Sequence, residues 1–269
     1  MPSNEQRRAA AKRKLERQVA SRAQRARKRK QLTIAASAVG VVVAVAAGVG
    51  IYYLTRGDDD SKTTASAACD YRATQTPAAR PVEKPKVDKP SDVKSANATL
   101  DTTQGPIGMK LDADQSPCTV ASFESLAKQK FFDGTSCHRM TTGEGLKVLQ
   151  CGDPSATGSG GPGYQFDNEY PTTKYAPMDP AAQQPIDYKR GVLAMANAGP
   201  DPTDGGGTNG SQFFLVYGDS KLPPQYTMFG TVDEAGLATL DKIAAAGVQG
   251  GGGDGKPVDD VTIRSVRID

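Results

Sequence analysis

From Asn97 onward the chain alternates apolar and polar positions. ATLDTT, beginning at Ala98, and IGMKLD read as two strands joined by a turn at Gln104–Pro106. Ser116 followed by Pro117 marks a helix start, and Val120, Phe123 and Leu126 recur behind it at helical spacing. A second helix fits Asp233–Ala245, with Leu237, Leu240 and Ile243 turned to the core. Between these helices the period is two. In GVLAMA, Leu193 and Met195 face one way, while Ala194 and Ala196 leave room for a close neighbour on the other side. The tripeptide Ala198-Gly199-Pro200 breaks that strand, and a glycine-rich loop follows. SQFFLV then resumes a strand, with Gln212 and Phe214 on one face and Phe213 and Leu215 on the other. Arg139 sits in a further short strand and Gln150 closes the next, while VTIRSVRI ends the chain as a strand. Short strands with two widely separated helices suit a mainly β fold, a closed antiparallel barrel capped by helices.

The first third has a different pattern. From Leu32 to Leu54 no residue is charged; that run of 23 residues suffices to cross a bilayer, which needs about 20. Tyr52 and Tyr53 sit where interfacial aromatics belong. Residues 1–31 carry twelve Lys/Arg against Glu5 and Glu16, a net +10, so the rest of a chain of net charge +3 carries −7. The basic cluster is expected on the cytoplasmic side, held at anionic lipid by about 1 kcal/mol per basic residue. Nucleic-acid binding by this tail is the rival reading, and the adjoining apolar run decides against it. A cleavable signal peptide is disfavoured because its apolar region is usually shorter, and ASAAC at Ala65–Cys69 only faintly resembles a lipoprotein cleavage site. Residues 55–96, with Pro77, Pro81, Pro85 and Pro90 among alternating Lys and Asp, read as a semi-extended linker. The expected organisation is thus a basic tail (1–31), a single transmembrane helix (32–54), a linker (55–96) and one folded domain (97–269).

Chemistry is sparse. His138 is the only histidine, and no hydrolase motif surrounds it. One His and four scattered Cys do not make a structural zinc spacing, so no metal is expected. GSGGPG at Gly158–Gly163 lacks the lysine and helix of a phosphate-binding loop and reads as a plain loop, as does GVQGGGGDG at Gly247–Gly255. Arg139 alone stands out, a cation within a strand of small and apolar residues.

A series of motifs nevertheless runs through the domain: FFDG at Phe131, His138-Arg139, QCGDP at Gln150, GGPGY at Gly160, MANAGP at Met195 and NGSQFF at Asn209. In this order they resemble the cyclophilins, peptidyl-prolyl cis-trans isomerases, over roughly Asn97–Asp269; the N-terminal third lies outside the resemblance, and with its apolar run the expected type is a membrane-anchored bacterial, actinobacterial-like form. The resemblance implies an eight-stranded closed antiparallel β-barrel capped by two α-helices, no cofactor, and proline-containing polypeptides as substrates. It implies Arg139 as the catalytic residue, with His138 immediately before it. Phe214 matches the aromatic floor of the proline pocket and Val148 an apolar wall. Gln150 matches the glutamine that positions the arginine and substrate, and Gln212 is a further polar contact. Asn197, flanked by Ala196 and Ala198, matches a backbone that pairs with the peptide. Leu222 falls near a family tryptophan and Tyr226 near a family histidine. Two departures bear on the pocket: about three extra residues between His138 and Gln150, where Leu146 or Val148 replaces the usual aromatic wall, and a lengthened loop before Asn209. A chaperone or scaffold that binds peptides with little catalysis is the alternative.

An outward-facing domain meets an oxidising environment, and four cysteines are an even number. Cys137 and Cys151 flank two consecutive strands and are expected to pair, leaving Cys69 with Cys118. The chain is read as a monomer at the cell membrane, N-terminus cytoplasmic, domain extracytoplasmic.

Overall fold

A computed structural model describes residues 68–269 except 177, 178 and 204. The expected tail and transmembrane helix lie outside the described residues, and among the described residues no helix is long and apolar enough to cross a membrane.

The strands, in chain order, are β1 (Arg72–Ala73), β2 (Ala96–Thr102), β3 (Gly105–Leu111), β4 (Thr135–Ser136), β5 (Arg139–Gly143), β6 (Leu146–Cys151), β7 (Tyr164–Gln165) and β8 (Ile186–Tyr188). They continue with β9 (Val192–Met195), β10 (Phe213–Gly218), β11 (Ser220–Leu222), β12 (Met228–Val232), β13 (Asp254–Gly255) and β14 (Thr262–Ile268). The helices are α1 (Pro117–Lys128) and α2 (Glu234–Ala246). Ten strands form one antiparallel sheet in the order β13-β5-β6-β10-β9-β12-β3-β2-β14-β4, and β1–β7 and β8–β11 form separate pairs. This corrects the expected closed eight-stranded barrel: the hydrogen-bonded order is a curled run with β13 and β4 at its ends.

Alternation along the strands divides two apolar clusters. Phe213 and Leu215 of β10, Leu149 and Cys151 of β6, and Leu193 and Met195 of β9 enter the main core. There they meet Phe123 of α1 and Leu237, Leu240 and Ile243 of α2. Their neighbours Phe214, Val216, Val148 and Ala194 face a second, smaller cluster. Phe123 anchors the main core, with ring centroids 5.2 Å from Phe132, 5.4 Å from Phe213 and 5.5 Å from Phe229.

Both helices begin as read, but α1 is capped differently. Ser116 makes no cap bond; its hydroxyl donates to the Met228 carbonyl. The Glu169 carboxylate accepts from the Cys118 and Thr119 N–H groups and the Thr119 hydroxyl instead. That satisfies exposed helix donors and sets a negative charge against the positive helix end. Asp233 caps α2 through the Gly236 N–H. The β2–β3 turn is Thr103–Gln104 rather than Gln104–Pro106, because Thr102 pairs with Gly105 and its hydroxyl accepts from the Gln104 N–H.

The expected linker also needs correction in its second half. Residues 68–96 form a strap on the domain. Tyr71 is buried in the main core, donates to the Cys118 carbonyl at 2.7 Å, and packs edge-on against Tyr164 and Phe166. β1 pairs with β7, and a Cys69–Cys118 disulfide ties the strap's start to α1. The strap's Val82, Val87 and Val93 also pack against the core. Composition argued for an unfolded linker, yet single apolar anchors plus a covalent tie suffice. The second disulfide joins Cys137 to Cys151.

Candidate active site

The face opposite the main core carries a row set by strand register. Arg139 pairs with Gln150 across β5–β6, Gln150 with Phe214 across β6–β10, and Phe214 with Ala194 across β10–β9. Side chains two residues apart share a face, so Val148 and Gln212 extend the row on either side. Hydrogen bonds join its polar members. Arg139 Nη1 donates to Gln150 Oε1 at 3.2 Å, and Gln150 Nε2 donates to Gln212 Oε1 at 2.9 Å. Gln212 Nε2 then donates to the Gly158 and Gly160 carbonyls at 2.9 and 3.0 Å. This chain fixes both glutamine amides, and it fixes which face of the guanidinium remains outward.

Apolar residues adjoin the row. Phe214 and Val148 are buried, with Leu146, Leu222, Tyr226 and Ala196 packed on them half-buried. The Phe214 ring lies 5.9 Å from Tyr226, edge-on, and 6.3 Å from Tyr188. Tyr188 is fully buried and donates to the Tyr226 carbonyl at 2.9 Å, fixing the loop after β11. The β5–β6 hairpin turns tightly at Glu144–Gly145, since Gly143 pairs with Leu146.

Four of the sequence-assigned residues are placed in ways their motifs did not indicate. The Asn197 side chain donates to Asn168, Asn209 and the Gln225 carbonyl, and accepts from the Gly199 N–H. It knits four loop segments together. The Ala198 N–H is taken by the Thr208 hydroxyl and the Ala196 N–H by the Gln212 carbonyl. Neither imidazole nitrogen of His138 reaches a hydrogen-bond partner, and burial lowers its pKa, so the ring is neutral near pH 7. The ring lies 3.6 Å from where a Cβ on Gly158 would stand, beneath the loop that receives Gln212.

Two carboxylates have parts in the site that the motifs did not assign. Asp254, on β13, accepts from Arg139 Nε at 2.9 Å and Nη2 at 2.7 Å, a bidentate pair across 115 positions. The hydrogen bond from Arg139 lowers the Asp254 pKa, and the reciprocal bond raises that of Arg139. Asp153 is fully buried and accepts from the N–H groups of Ser155, Thr157, Gly158 and Gly160. Burial pushes its pKa up, but these bonds pull it below the usual carboxylate range. A Cβ on Gly160 would fall 2.0 Å from Asp153 Oδ1, so only glycine lets the loop wrap that carboxylate. Asp153 thereby shapes the carbonyls that hold Gln212. Among the described residues no group of three His, Cys, Asp or Glu is placed to hold a metal ion.

The arrangement can orient a cation and two amides beside an apolar floor; it offers no nucleophile paired with a base. The family profile described as "Cyclophilin type peptidyl-prolyl cis-trans isomerase/CLD" matches residues 97–268. The chain is 57% identical over 204 residues to a probable peptidyl-prolyl cis-trans isomerase B of Mycobacterium tuberculosis, covering 76% of this chain and 64% of that protein. The match thus spans just under two thirds of that relative's length. It is 48% identical, over the full length of both chains, to the corresponding protein of Mycobacterium leprae. A solved cyclophilin type peptidyl-prolyl cis-trans isomerase of Cryptosporidium parvum superposes with a TM-score of 0.51 at 28% identity, covering 65% of this chain and 98% of that one.

Proposed function

The chain belongs to the cyclophilin-type peptidyl-prolyl cis-trans isomerases, and from that premise we propose that it turns over X–Pro bonds on the face of Arg139, Gln150, Gln212 and Phe214. The amide resists rotation by about 18–20 kcal/mol because its C–N bond has partial double-bond character. Turnover on the order of hundreds per second, against about 0.01 per second unaided, requires about 5–7 kcal/mol of relief. Twisting returns the lone pair to the prolyl nitrogen, and a donor aimed there stabilises the twisted state. The bonds to Asp254 and Gln150 use three of the five guanidinium N–H groups, so Arg139 keeps donors to offer. One charge-assisted bond is worth about 1.5–3 kcal/mol. The remainder falls to the apolar floor at Phe214, which holds the ring while the other side of the amide turns. The linked row of Arg139, Gln150 and Gln212 beside Phe214 is the observation that carries this reading. The test is an isomerase assay on an X–Pro peptide alongside a binding titration; binding without turnover would support the chaperone reading instead.

The same proposal extends to location. The uncharged run 32–54 spans the membrane, the basic residues 1–31 stay at the anionic inner surface, and the domain works outside on proline-containing chains. All four cysteines are joined in disulfides, which fits an oxidising compartment. Protease added to intact cells is expected to remove the domain and spare the tail; a protected domain would refute the orientation.

A further inference from the structure

Arg72, in the strap, reaches a loop beside the candidate site. It lies in β1, opposite Gln165 of β7, and ahead of the family match at residues 97–268. Its side chain is only 21% exposed. Nη2 donates to Asp167 Oδ1 at 2.8 Å and to the Gly207 carbonyl at 2.9 Å. The same Asp167 oxygen accepts from the Gly207 N–H at 2.7 Å. Arg72 and Asp167 together therefore hold both main-chain polar groups of one residue in the lengthened loop before Asn209. The glycines of that loop fit this grip. A Cβ on Gly206 would fall 2.6 Å from Arg72 Nη2, and one on Gly207 would fall 2.7 Å from the Asn168 nitrogen. Gln165, across the β1–β7 pair, adds a second tie by donating to the Asp201 carboxylate.

From Gly207 the connection runs one residue on to the substrate face. The Thr208 hydroxyl accepts from the Ala198 N–H at 2.9 Å and donates to the Gly199 carbonyl at 2.6 Å. On the other side the Ala196 N–H is held by the Gln212 carbonyl. Asn197 stands between these two fixed points. Among the described residues its main-chain N–H and carbonyl meet no hydrogen-bond partner, so a peptide backbone laid along it has both to pair with.

We propose that Arg72 is a positioning residue for substrate binding: through Asp167, Gly207 and Thr208 it sets the main chain at Asn197 that the peptide pairs with. The inference rests on the proposed isomerase face. Asp167 and Gly207 are not members of the Arg139, Gln150 and Gln212 row, so the effect falls on binding rather than on the twist of the amide. A segment ahead of the family domain thereby tunes how tightly that domain holds its peptide.

The test uses the full chain, an X–Pro peptide assayed for turnover, and the same peptide labelled for fluorescence anisotropy. Arg72→Ala is expected to raise KM and Kd about fivefold, the effect of one hydrogen bond, with kcat within about twofold of wild type. Arg72→Lys keeps the stem and the charge and should give an intermediate value; it carries the test should the alanine variant fail to fold. Thr208→Val removes the hydroxyl that holds Ala198 and should raise KM similarly. Adding Arg72→Ala to it should then change little, because the two act in one chain of contacts. Hydrogen exchange provides a reading independent of turnover. Protection of the Ala198 N–H should fall in Arg72→Ala while that of Phe214, in β10, stays. A chain that binds the peptide without turning it over, and binds more weakly in Arg72→Ala, would fault the isomerase reading alone. Wild-type KM and Kd in a folded Arg72→Ala, an effect confined to kcat, or full additivity with Thr208→Val would each overturn the positioning role.

Discussion

Replacing Asp254 weighs two opposed effects on the same guanidinium. Asp254 grips Nε and Nη2, while Gln150 holds only Nη1. An arginine side chain carries about 2 kcal/mol of rotamer entropy, and a planar fork held at both edges has little left to lose on binding. The Arg139 side chain is 40% exposed and that of Asp254 54%, so water screens the pair, and such pairs contribute about 0.2–1 kcal/mol, with bidentate geometry at the upper end. Against this, removing a carboxylate strengthens the field of Arg139 at a substrate nitrogen. At about 6 Å in a watery setting that gain is about 0.7 kcal/mol. Loss of anchoring, at about 1–2 kcal/mol with Gln150 left as the sole hold, outweighs it. Asp254→Ala is thus expected to lower kcat/KM about fivefold. Asp254→Asn, which keeps one acceptor, should fall between the two. The pH dependence has a sign. The Asp254 pKa is depressed by the Arg139 bond, so the pair is intact above the ordinary carboxylate pKa of about 3.9 and is lost as pH falls through the depressed value. Activity should then be flat from about pH 5 to 8 in wild type. Peptide isomerisation followed by stopped-flow absorbance, with melting curves as a fold control, provides the readout. A rise in kcat/KM in both variants would mean the field dominates and Asp254 acts as a brake; no change in either would refute the anchoring argument.

Two further outcomes concern the scaffold. The Cys69–Cys118 bond spans 49 positions, for which chain entropy gives about 4 kcal/mol, so the joint Cys→Ser replacement should lower Tm by roughly 5–15 °C and expose the strap to protease; an unchanged Tm and strap would contradict its docking. Asp153→Asn sets an amide against backbone N–H groups that now meet a carboxylate, and should cost about 2–3 kcal/mol in denaturant unfolding at pH 7. Because the folded-state pKa of Asp153 is depressed, its contribution is present above about pH 4 and fades below it. Equal stabilities at pH 7, or a gap that persists undiminished to pH 2, would refute this.

Much of the site face was legible because strand alternation is local. Gln212 and Phe214 on one face, with Phe213 and Leu215 on the other, follow from a period of two, and the clusters divide there. The helices were legible through Val120, Phe123 and Leu126, and through Leu237, Leu240 and Ile243. Asp254 was hidden because its partner lies 115 positions away and its surroundings read as a flexible glycine run. Glu169 was hidden for the same reason, since a cap normally comes from the residue before a helix and here comes from about 50 positions downstream. Asn197 was legible as a motif but not as a knot, because its three side-chain acceptors come from three separate segments. The strap was misread through composition: prolines and charges mask the few residues, Tyr71 chief among them, that bury it.

The central claim is that Arg139 stabilises the twisted amide. It is tested most directly by turnover of an X–Pro peptide with wild type, Arg139→Ala and Arg139→Lys, each confirmed folded by its melting curve. The lost bond of about 1.5–3 kcal/mol corresponds to a fall in kcat of at least about tenfold for Arg139→Ala. Lysine should restore little, since a point ammonium cannot keep both the Asp254 pair and the Gln150 bond while offering a donor to the substrate. Wild-type turnover in both variants would contradict the account.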